Sequence, residues 1–242
     1  MNAWMLAAWL LGAAAAPSAK PAAPKQPATA PARAASTAAP TPARSTSPEV
    51  RALVDRVQAF YEHTQDFEAR FTQRYAYATS HRTQVSTGEV KFKKPGLMRW
   101  DYQTPSKRTF LLTGDRAYAL DPEALTLTKS PVDENQLSAA VTFLWGKGKL
   151  ADEFTIAQQP CKKCQGLQLV LTPKKPDPRF QRILLEVEPK TAQVLKSTVV
   201  DPDGSVNEIT FEGLKTNVKL TEAQFKLNPP PNTQILDMTK GH

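Results

Sequence analysis

Two cysteines, Cys161 and Cys164, are the residues best suited to chemistry, and two lysines separate them. A zinc site would need further ligands, but the three histidines of the chain are scattered and do not match the required spacing. A thioredoxin-type redox pair opens a helix after a strand, whereas Gly166 leads into strand-like residues. In an exported protein such a pair usually forms a local disulfide. We therefore predict a disulfide between Cys161 and Cys164 that closes a hairpin loop, and no metal site.

Motifs of other enzyme classes are missing from the sequence. It contains no Gly-x-Ser-x-Gly, no His-Glu-x-x-His and no phosphate-binding P-loop. The carboxylates of Asp201 and Asp203 flank a proline and precede Gly204, a pattern that is typical of a turn. We expect a protein that is not an enzyme and needs no cofactor. An esterase acting on lipids is the enzymatic alternative.

The N-terminal region differs in composition from the rest of the chain. Residues 1–16 form an apolar run that ends in small side chains, which is typical of a signal peptide. The run is shorter than the roughly 20 residues of a membrane-spanning helix, and a retained anchor is the alternative. Residues 17–47 consist almost entirely of Ala, Pro, Ser, Thr, Lys and Arg, which predicts a disordered spacer because little apolar surface can be buried. A single folded domain is then expected over residues 48–242.

The charge of the chain argues against one class of partner. The net charge is +8 at pH 7, and the first acidic residue is Glu49. Four basic residues precede Glu49, so the folded part keeps 27 basic and 23 acidic residues and a charge of only +4. Without a basic stripe interleaved with aromatic residues, this mild charge argues against nucleic acid. It would suit an anionic membrane or an anionic partner equally well.

Two amphipathic helices are predicted. Ser47 suits the N-cap of the first helix, and Pro48 and Glu49 suit its first turn. Its apolar residues recur every three or four positions and form one stripe, namely Val50, Leu53, Val54, Val57, Phe60 and Tyr61. The second helix is predicted after Asp133, where Leu137, Ala140, Val141 and Leu144 recur at helical spacing.

Elsewhere in residues 48–242 the apolar period is two, which predicts strands. In the first half they are predicted from Phe67 to Gln73, at 83–94, from Met98 to Tyr102, and at 108–113, 116–121 and 124–129. In the second half they are predicted at 153–159, 166–173, 180–188, 193–200 and 205–217. Short hairpin loops join them, which favours an antiparallel meander that curls toward a barrel. The fold class is therefore α+β.

Four segments of the chain form a recognisable series. In order they are FEARFTQ (67–73), KKPGLMRWDY (93–102), TGDRAYALDP (113–122) and AQFKLNPP (223–230). Together with the first helix they resemble the LolA family of outer-membrane lipoprotein carriers, and the similarity covers roughly residues 48–237. Two positions depart from the family pattern: Lys94 stands where Arg is common, and Met98 stands where an aromatic residue is common.

The resemblance implies a fold, a function and a set of partners. The implied fold is an unclosed antiparallel β-barrel, or half-barrel, with an α-helical lid that encloses an apolar cavity. The implied function is that of a periplasmic carrier, which binds lipoprotein acyl chains and shuttles lipoproteins from the inner to the outer membrane. The implied partners are the lipoprotein cargo, an ATP-driven inner-membrane release complex and an outer-membrane lipoprotein receptor, and the carrier is expected to be a monomer. A periplasmic lipid- or lipoprotein-sensing module of the same fold is the non-enzymatic alternative.

The expected cavity and lid residues are apolar side chains of the two helices and of inward-facing strand positions. They are Leu53, Val57, Phe60, Phe71, Val90, Phe92, Met98, Trp100, Tyr102, Leu137, Val141, Leu144, Ile183, Leu185 and Val187. Aromatic residues and a flexible methionine suit an adaptable acyl site. The sequence leaves open whether this apolar face is ordinary core or the lining of a cavity.

Lys94 shares its strand parity with Val90 and Phe92, which places an ammonium group on the face that otherwise points inward. One interpretation is a solvated strand end next to Pro95. The resemblance implies another, because the family's Arg at this position hydrogen-bonds the helical lid and holds the empty cavity closed. Lys can donate to the same carbonyls but lacks the planar guanidinium, so Lys94 is expected to form a weaker latch.

Overall fold

The computed structural model of the protein describes residues 47–132 and 149–239. Three predicted features therefore lie outside the described residues: the signal peptide at 1–16, nearly all of the spacer, and the second helix with Leu137, Val141 and Leu144. In chain order the described elements are α1 (Pro48–His63), β1 (Asp66–Ala76), β2 (Thr83–Lys93), β3 (Leu97–Thr104), β4 (Arg108–Thr113), β5 (Arg116–Asp121), β6 (Thr126–Pro131), α2 (Leu150–Glu153), β7 (Phe154–Gln159), β8 (Leu167–Pro173), β9 (Arg182–Val187), β10 (Val194–Val200), β11 (Val206–Thr216), a 3-10 helix (Glu222–Phe225) and β12 (Gln234–Asp237).

Helix α1 begins where its sequence predicts. The hydroxyl of Ser47 accepts a hydrogen bond from the backbone N–H of Val50 at 3.3 Å, and a proline occupies the first turn. At the other end, Thr64 has an extended backbone and donates from both its backbone N–H and its hydroxyl to the carbonyl of Phe60. The apolar stripe of α1 is buried except at Phe60, which is half-buried. The helix thus presents one continuous apolar surface to the strands.

The strands form one open sheet. The strand order is β12-β6-β5-β4-β3-β2-β1-β11-β10-β9-β8-β7, so β1 to β6 and β7 to β11 are two meanders that join where β1 pairs with β11. All neighbouring strands are antiparallel except β12 and β6, which are parallel. The expectation of a purely antiparallel sheet is therefore wrong at this edge. Since β7 and β12 lie at opposite ends of the order, the sheet is unclosed.

One predicted strand is displaced. The sequence predicts a strand at 124–129, whereas β6 runs from Thr126 to Pro131. The carboxylate of Asp121 accepts hydrogen bonds from the backbone N–H groups of Glu123 and Ala124, and Leu125 takes a positive φ of 50°. These features extend the turn through Leu125 and delay the start of β6.

The main hydrophobic core lies between α1 and the inner face of the sheet. It includes Val50, Leu53, Val54, Val57 and Tyr61 of α1 together with buried residues of both meanders. A smaller cluster forms on the other face, where Leu220 and Phe225 of the C-terminal segment pack on Leu111. No helix in the described parts of the chain is long and apolar enough to cross a membrane.

Candidate functional site

Hydrogen-bond register arranges the inward side chains of β1 to β4 and β11 in rows that cross the strands. The first two rows, which lie next to the C-terminal end of α1, are entirely apolar and are called the apolar rows. They contain Phe67, Phe92, Met98 and Leu112, followed by Ala69, Val90, Trp100 and Phe110. All eight side chains are buried. Since neighbouring rows are about 7 Å apart, the apolar rows form one continuous apolar surface.

The inner face becomes polar farther from α1. A mixed third row contains Phe71, Gly88, Tyr102 and Arg108. The next two rows, called the polar rows, contain Gln73, Ser86 and Ile209, followed by Tyr75, Gln84 and Asn207. A polar inward position is less common than an apolar one, because burial removes the side chain from water. The inner face therefore has two chemically different ends.

The described members of the predicted cavity set lie in one place. Six are on the inner face of β1 to β3: Phe71, Val90, Phe92, Met98, Trp100 and Tyr102. The others are Leu53, Val57 and Phe60 on α1, and Ile183, Leu185 and Val187 on β9. All belong to the main core or pack against it, and Phe60 and Tyr102 are the two that remain partly exposed. The structure therefore brings the helix stripe and both meanders to a common apolar interior.

Aromatic rings occupy the centre of this interior. The ring of Phe71 meets those of Trp100 and Tyr102 edge to face, at centroid distances of 4.8 and 5.0 Å. Gly88 makes this packing possible, since a Cβ at this position would lie 2.8 Å from the Phe71 ring and 2.1 Å from the carbonyl oxygen of Asp101. Phe71 thus covers the strand at Gly88 and connects the apolar rows to the polar rows.

Lys94 contacts the helix. Its Nζ donates to the carbonyl oxygens of Tyr61 and Glu62, each at 2.8 Å, and its backbone N–H donates to the carbonyl of Gln65 at 2.8 Å. The last carbonyls of a helix have no partner within the helix and attract cations. Burial lowers the pKa of Lys94 from its usual 10.5, and the carboxylate of Glu62 partly offsets this effect. Lys94 therefore caps the C-terminal end of α1 rather than extending freely into solvent.

A buried polar network that we did not predict as a site lies beside the aromatic rings. The hydroxyl of Tyr102 donates to Oε1 of Gln73 at 2.9 Å, and Nε2 of Gln73 donates to Oδ1 of Asn207 at 2.9 Å. Burial raises the pKa of Tyr102, which keeps its hydroxyl protonated as a donor. One signal in the sequence could have indicated this network. Gln73 shares its strand parity with the apolar residues Phe67, Ala69 and Phe71, so a polar amide was expected on the inward face of β1.

The cysteine pair lies in the loop between β7 and β8. Cys161 and Cys164 are joined by a disulfide, with their Cα atoms 5.5 Å apart. The following backbone N–H groups of Gln165 and Gly166 donate to Oε1 of the buried Glu186 on β9. Within the described residues, no group of three or more His, Cys, Asp or Glu side chains could hold a metal ion. The pair is remote from the inner-face rows of β1 to β4 in strand order.

Comparisons with known proteins agree on the family. Residues 62–228 match the family described as "Outer membrane lipoprotein carrier protein LolA". An outer-membrane lipoprotein carrier protein of Neisseria meningitidis is 28% identical over 184 residues, which cover 76% of this chain and 86% of that protein. A protein of the same name from Pseudomonas paraeruginosa is 25% identical over 186 residues and is covered to 88%.

A solved structure shares the fold. The crystal structure of an uncharacterized conserved protein from Thermus thermophilus superposes with a TM-score of 0.50 at 15% identity, covering 77% of this chain and 98% of that one. This likeness concerns the fold alone, whereas the family match covers more than half of the chain in sequence. The chain belongs to the LolA family of outer membrane lipoprotein carrier proteins.

Proposed function

We propose that the protein is a periplasmic carrier that holds lipoprotein acyl chains between α1 and the inner face of the sheet. One observation supports this proposal most strongly: the stripe of α1 and the apolar rows share one hydrophobic core in a member of a lipoprotein-carrier family. Each buried methylene contributes about 0.8 kcal/mol, so a chain of ~16 carbons costs on the order of 12 kcal/mol in water. A carrier that shelters the chain removes most of this cost without any chemical step.

The contacts of α1 suggest how cargo is exchanged. Its stripe contacts the sheet through the same aliphatic and aromatic groups that an acyl chain would use, so the chain can replace these contacts with others of similar strength. Met98 adds an adaptable side chain in the first apolar row. Displacing the stripe costs its own burial, and the incoming chain returns a comparable free energy. Loading and release can then both occur without a large net change in free energy.

The remaining parts of the proposal concern the location and the partners. Residues 1–16 would direct export to the periplasm, and residues 17–47 would form a spacer before the carrier domain at 48–242. The carrier would accept lipoproteins from an ATP-driven inner-membrane complex and deliver them to a receptor on the outer membrane, working as a monomer. Lipid that co-purifies with protein isolated from periplasm, identified by mass spectrometry, would identify the natural cargo.

Dye displacement tests the proposal directly. The native protein should bind bis-ANS, and an acylated peptide should displace the dye. Trp100→Asp should abolish dye binding, because it introduces a carboxylate into the second apolar row, where the native side chain is 7% exposed. Val85→Asp is the matched control, because Val85 lies on β2 but is 51% exposed. The proposal fails if saturating acylated peptide leaves the dye bound to the wild-type protein.

A further inference from the structure

One end of the sheet carries exposed lysines on several loops. β1 starts beside the end of β2, β11 ends beside the start of β1, and β9 ends beside the starts of β8 and β10. The loops at 160–166 and 217–219 and the turns at 94–96 and 188–193 therefore lie at the same end, which we call the lysine end. The apolar rows begin at this end of the sheet, next to the C-terminal end of α1.

The loop at 217–219 is held in place by a buried carboxylate. Asp66 is 3% exposed, and its two oxygens accept hydrogen bonds from the backbone N–H groups of Val218 at 2.7 Å and Leu220 at 3.2 Å. Asn217 and Lys219 take positive φ angles of 55° and 62°, which residues other than glycine adopt only when surrounding contacts hold them. The loop thus presents Val218, which is 39% exposed, beside the exposed Lys219.

The loop at 160–166 is fixed in a comparable way. Its disulfide joins Cys161 to Cys164, the two residues that enclose the exposed Lys162 and Lys163. The carboxylate of the buried Glu186 accepts hydrogen bonds from the two backbone N–H groups that follow the disulfide. Its ion pair is with a lysine of β10, not with the lysines of the loop. In both loops a buried carboxylate therefore holds the backbone and leaves the exposed lysines without neutralisation.

The lysine end has an unbalanced positive charge. Its exposed lysines that form no ion pair with another described residue are Lys162, Lys163, Lys190 and Lys219. The solvent-accessible acidic residues in the described part of the same end already have contacts within the protein. Glu62 accepts from the side chain of Gln58, Glu188 accepts from a backbone N–H of its own turn, and Asp115 pairs with the adjacent arginine.

The chemistry of lysine favours a membrane over a protein as the partner of this surface. Lysine is depleted in protein–protein interfaces, where arginine is enriched. Its ammonium group is a compact charge on a flexible stem and needs no matched geometry, which suits the mobile phosphates of an anionic bilayer. Each lysine near such a surface strengthens binding about 5-fold. An apolar side chain beside the lysines adds a contact at the boundary with the acyl chains.

We propose that the lysine end is a docking surface for membranes that contain anionic phospholipids. The four unpaired lysines lie at the lipid phosphates, and Val218 lies at the boundary with the hydrocarbon. Since the apolar rows begin at this end, docking brings the apolar interior close to the lipid. The use of the surface in exchanging acyl chains rests on the proposed function, whereas the contact with the membrane does not.

Vesicle binding tests the docking surface. Protein isolated from periplasm should co-sediment with vesicles of phosphatidylethanolamine and phosphatidylglycerol, and less with vesicles of phosphatidylcholine alone. Added salt should weaken the binding, because it screens exposed charges. Failure to bind phosphatidylglycerol vesicles at low salt overturns the proposal, and an acidic protein would then be the partner to seek for these lysines.

Paired substitutions locate the contact. Lys162→Gln combined with Lys163→Gln removes two charges from the lysine end and should weaken vesicle binding at least about 5-fold. Lys174→Gln combined with Lys175→Gln is the matched control, because these adjacent, exposed lysines lie between β8 and β9 at the opposite end of the sheet. The control should lose no more than about 2-fold, since salt screens charges that are remote from the contact. Equal losses would mean that net charge, not this surface, binds the vesicles, and would overturn the proposal.

Dye displacement separates this inference from the proposed function. The variant that lacks the charges of Lys162 and Lys163 should still release bis-ANS to acylated peptide as the wild type does, because both residues lie in an exposed loop. Loss of vesicle binding by the wild type with intact dye displacement overturns the docking surface and leaves the carrier function. Vesicle binding that depends on the lysines, without dye displacement by the acylated peptide, overturns the carrier function and supports the membrane contact alone.

Discussion

Lys94 contacts α1 at the end from which the chain continues into β1. It holds the carbonyls of Tyr61 and Glu62, only a few residues before the chain passes directly from α1 into β1. The C-terminal end of α1 is therefore fixed by the chain itself as well as by the ammonium group. A latch at this end would act as a pivot for the helix. If this contact were weaker, the equilibrium between the closed and open positions of α1 over the sheet would shift, but the helix would stay attached.

Replacement of Lys94 by Leu should keep the fold and impair one step of transfer. The loss of a cation at a helix C-terminus costs about 0.3–1 kcal/mol of stability. We expect Lys94→Leu to accept lipoprotein from the inner membrane but to pass it poorly to the outer-membrane receptor. Lys94→Arg, which retains the donors, should transfer like the wild type or better. A transfer assay with separate acceptance and release steps decides the matter. Release by Lys94→Leu at the wild-type rate would contradict the latch.

Tyr61 makes stability depend on alkaline pH. Burial raises its pKa to about 12, although the backbone N–H of Val194 donates to its oxygen and lowers the pKa somewhat. The pKa of Tyr61 in the folded protein lies above its ordinary value of 10. The stability that Tyr61 contributes is therefore complete below pH 10 and is lost as pH rises through 12. Denaturant midpoints should show a loss of roughly 1.4 kcal/mol from this residue between pH 8 and 11. Tyr61→Phe should remove that part of the pH dependence, and an unchanged slope would contradict it.

At the scale of elements, the hairpin between β7 and β8 carries the disulfide at the edge of the sheet. Thiol titration of unreduced, denatured protein should find essentially no free thiol. A double replacement of Cys161 and Cys164 by Ser should cost about 2 kcal/mol at most, because the closed loop is very short. Lipoprotein transfer should remain nearly intact, since β9, β10 and β11 lie between this hairpin and β1 in the sheet. Loss of transfer in a variant that still folds would instead reveal a working redox pair.

Elements with local signals could be predicted from the sequence. The cap at Ser47 and the stripe of α1 depend on neighbouring residues, and most strands follow from alternation between turns. Strand β12 could not be predicted in this way, because Gln234–Asp237 is mostly exposed and shows no alternation. Its parallel pairing with β6 joins residues more than a hundred positions apart. Nothing local distinguishes it from a loop.

In the candidate site, too, features set by neighbouring residues could be predicted, whereas contacts between distant residues could not. Parity predicted inward positions on β1 to β3, among them Phe67, Val90 and Trp100 of the apolar rows. It could not predict partners that are distant in the chain, such as the carbonyls that Lys94 contacts, 32 and 33 residues earlier. The amide of Asn207 is 134 residues from Gln73, and only the pairing of β1 with β11 brings them together. The polar rows therefore became visible as a unit only in the folded sheet.

At the scale of the whole molecule, the described residues combine an open sheet with a helix, α1, whose hydrogen bonds to other described elements lie toward one end. Within the described residues, all hydrogen bonds from α1 to other elements start in its second half. They join Arg56 to the carbonyl of Pro189, Gln58 to Leu150, Tyr61 to Val194, and the carbonyls of residues 61 and 62 to Lys94. The first half, at residues 48–55, contacts the rest of the described structure through its apolar stripe alone. Apolar contacts are non-directional, so we expect this half to be displaced first when an acyl chain enters.

This asymmetry predicts how the proposed carrier would open. An acyl chain that replaces the stripe of α1 should displace the N-terminal half of the helix, while its C-terminal half turns about the contacts of Tyr61 and Lys94. In hydrogen exchange, binding of an acylated peptide should reduce protection of the amides at residues 51–55, because local opening becomes easier there. Protection in β1 and β11, at the middle of the sheet, should stay or increase. Non-acylated peptide is the control and should change neither region. Loosening that is confined to the C-terminal half of α1 would mean that the helix opens at the Lys94 end, and the pivot would then lie at Ser47.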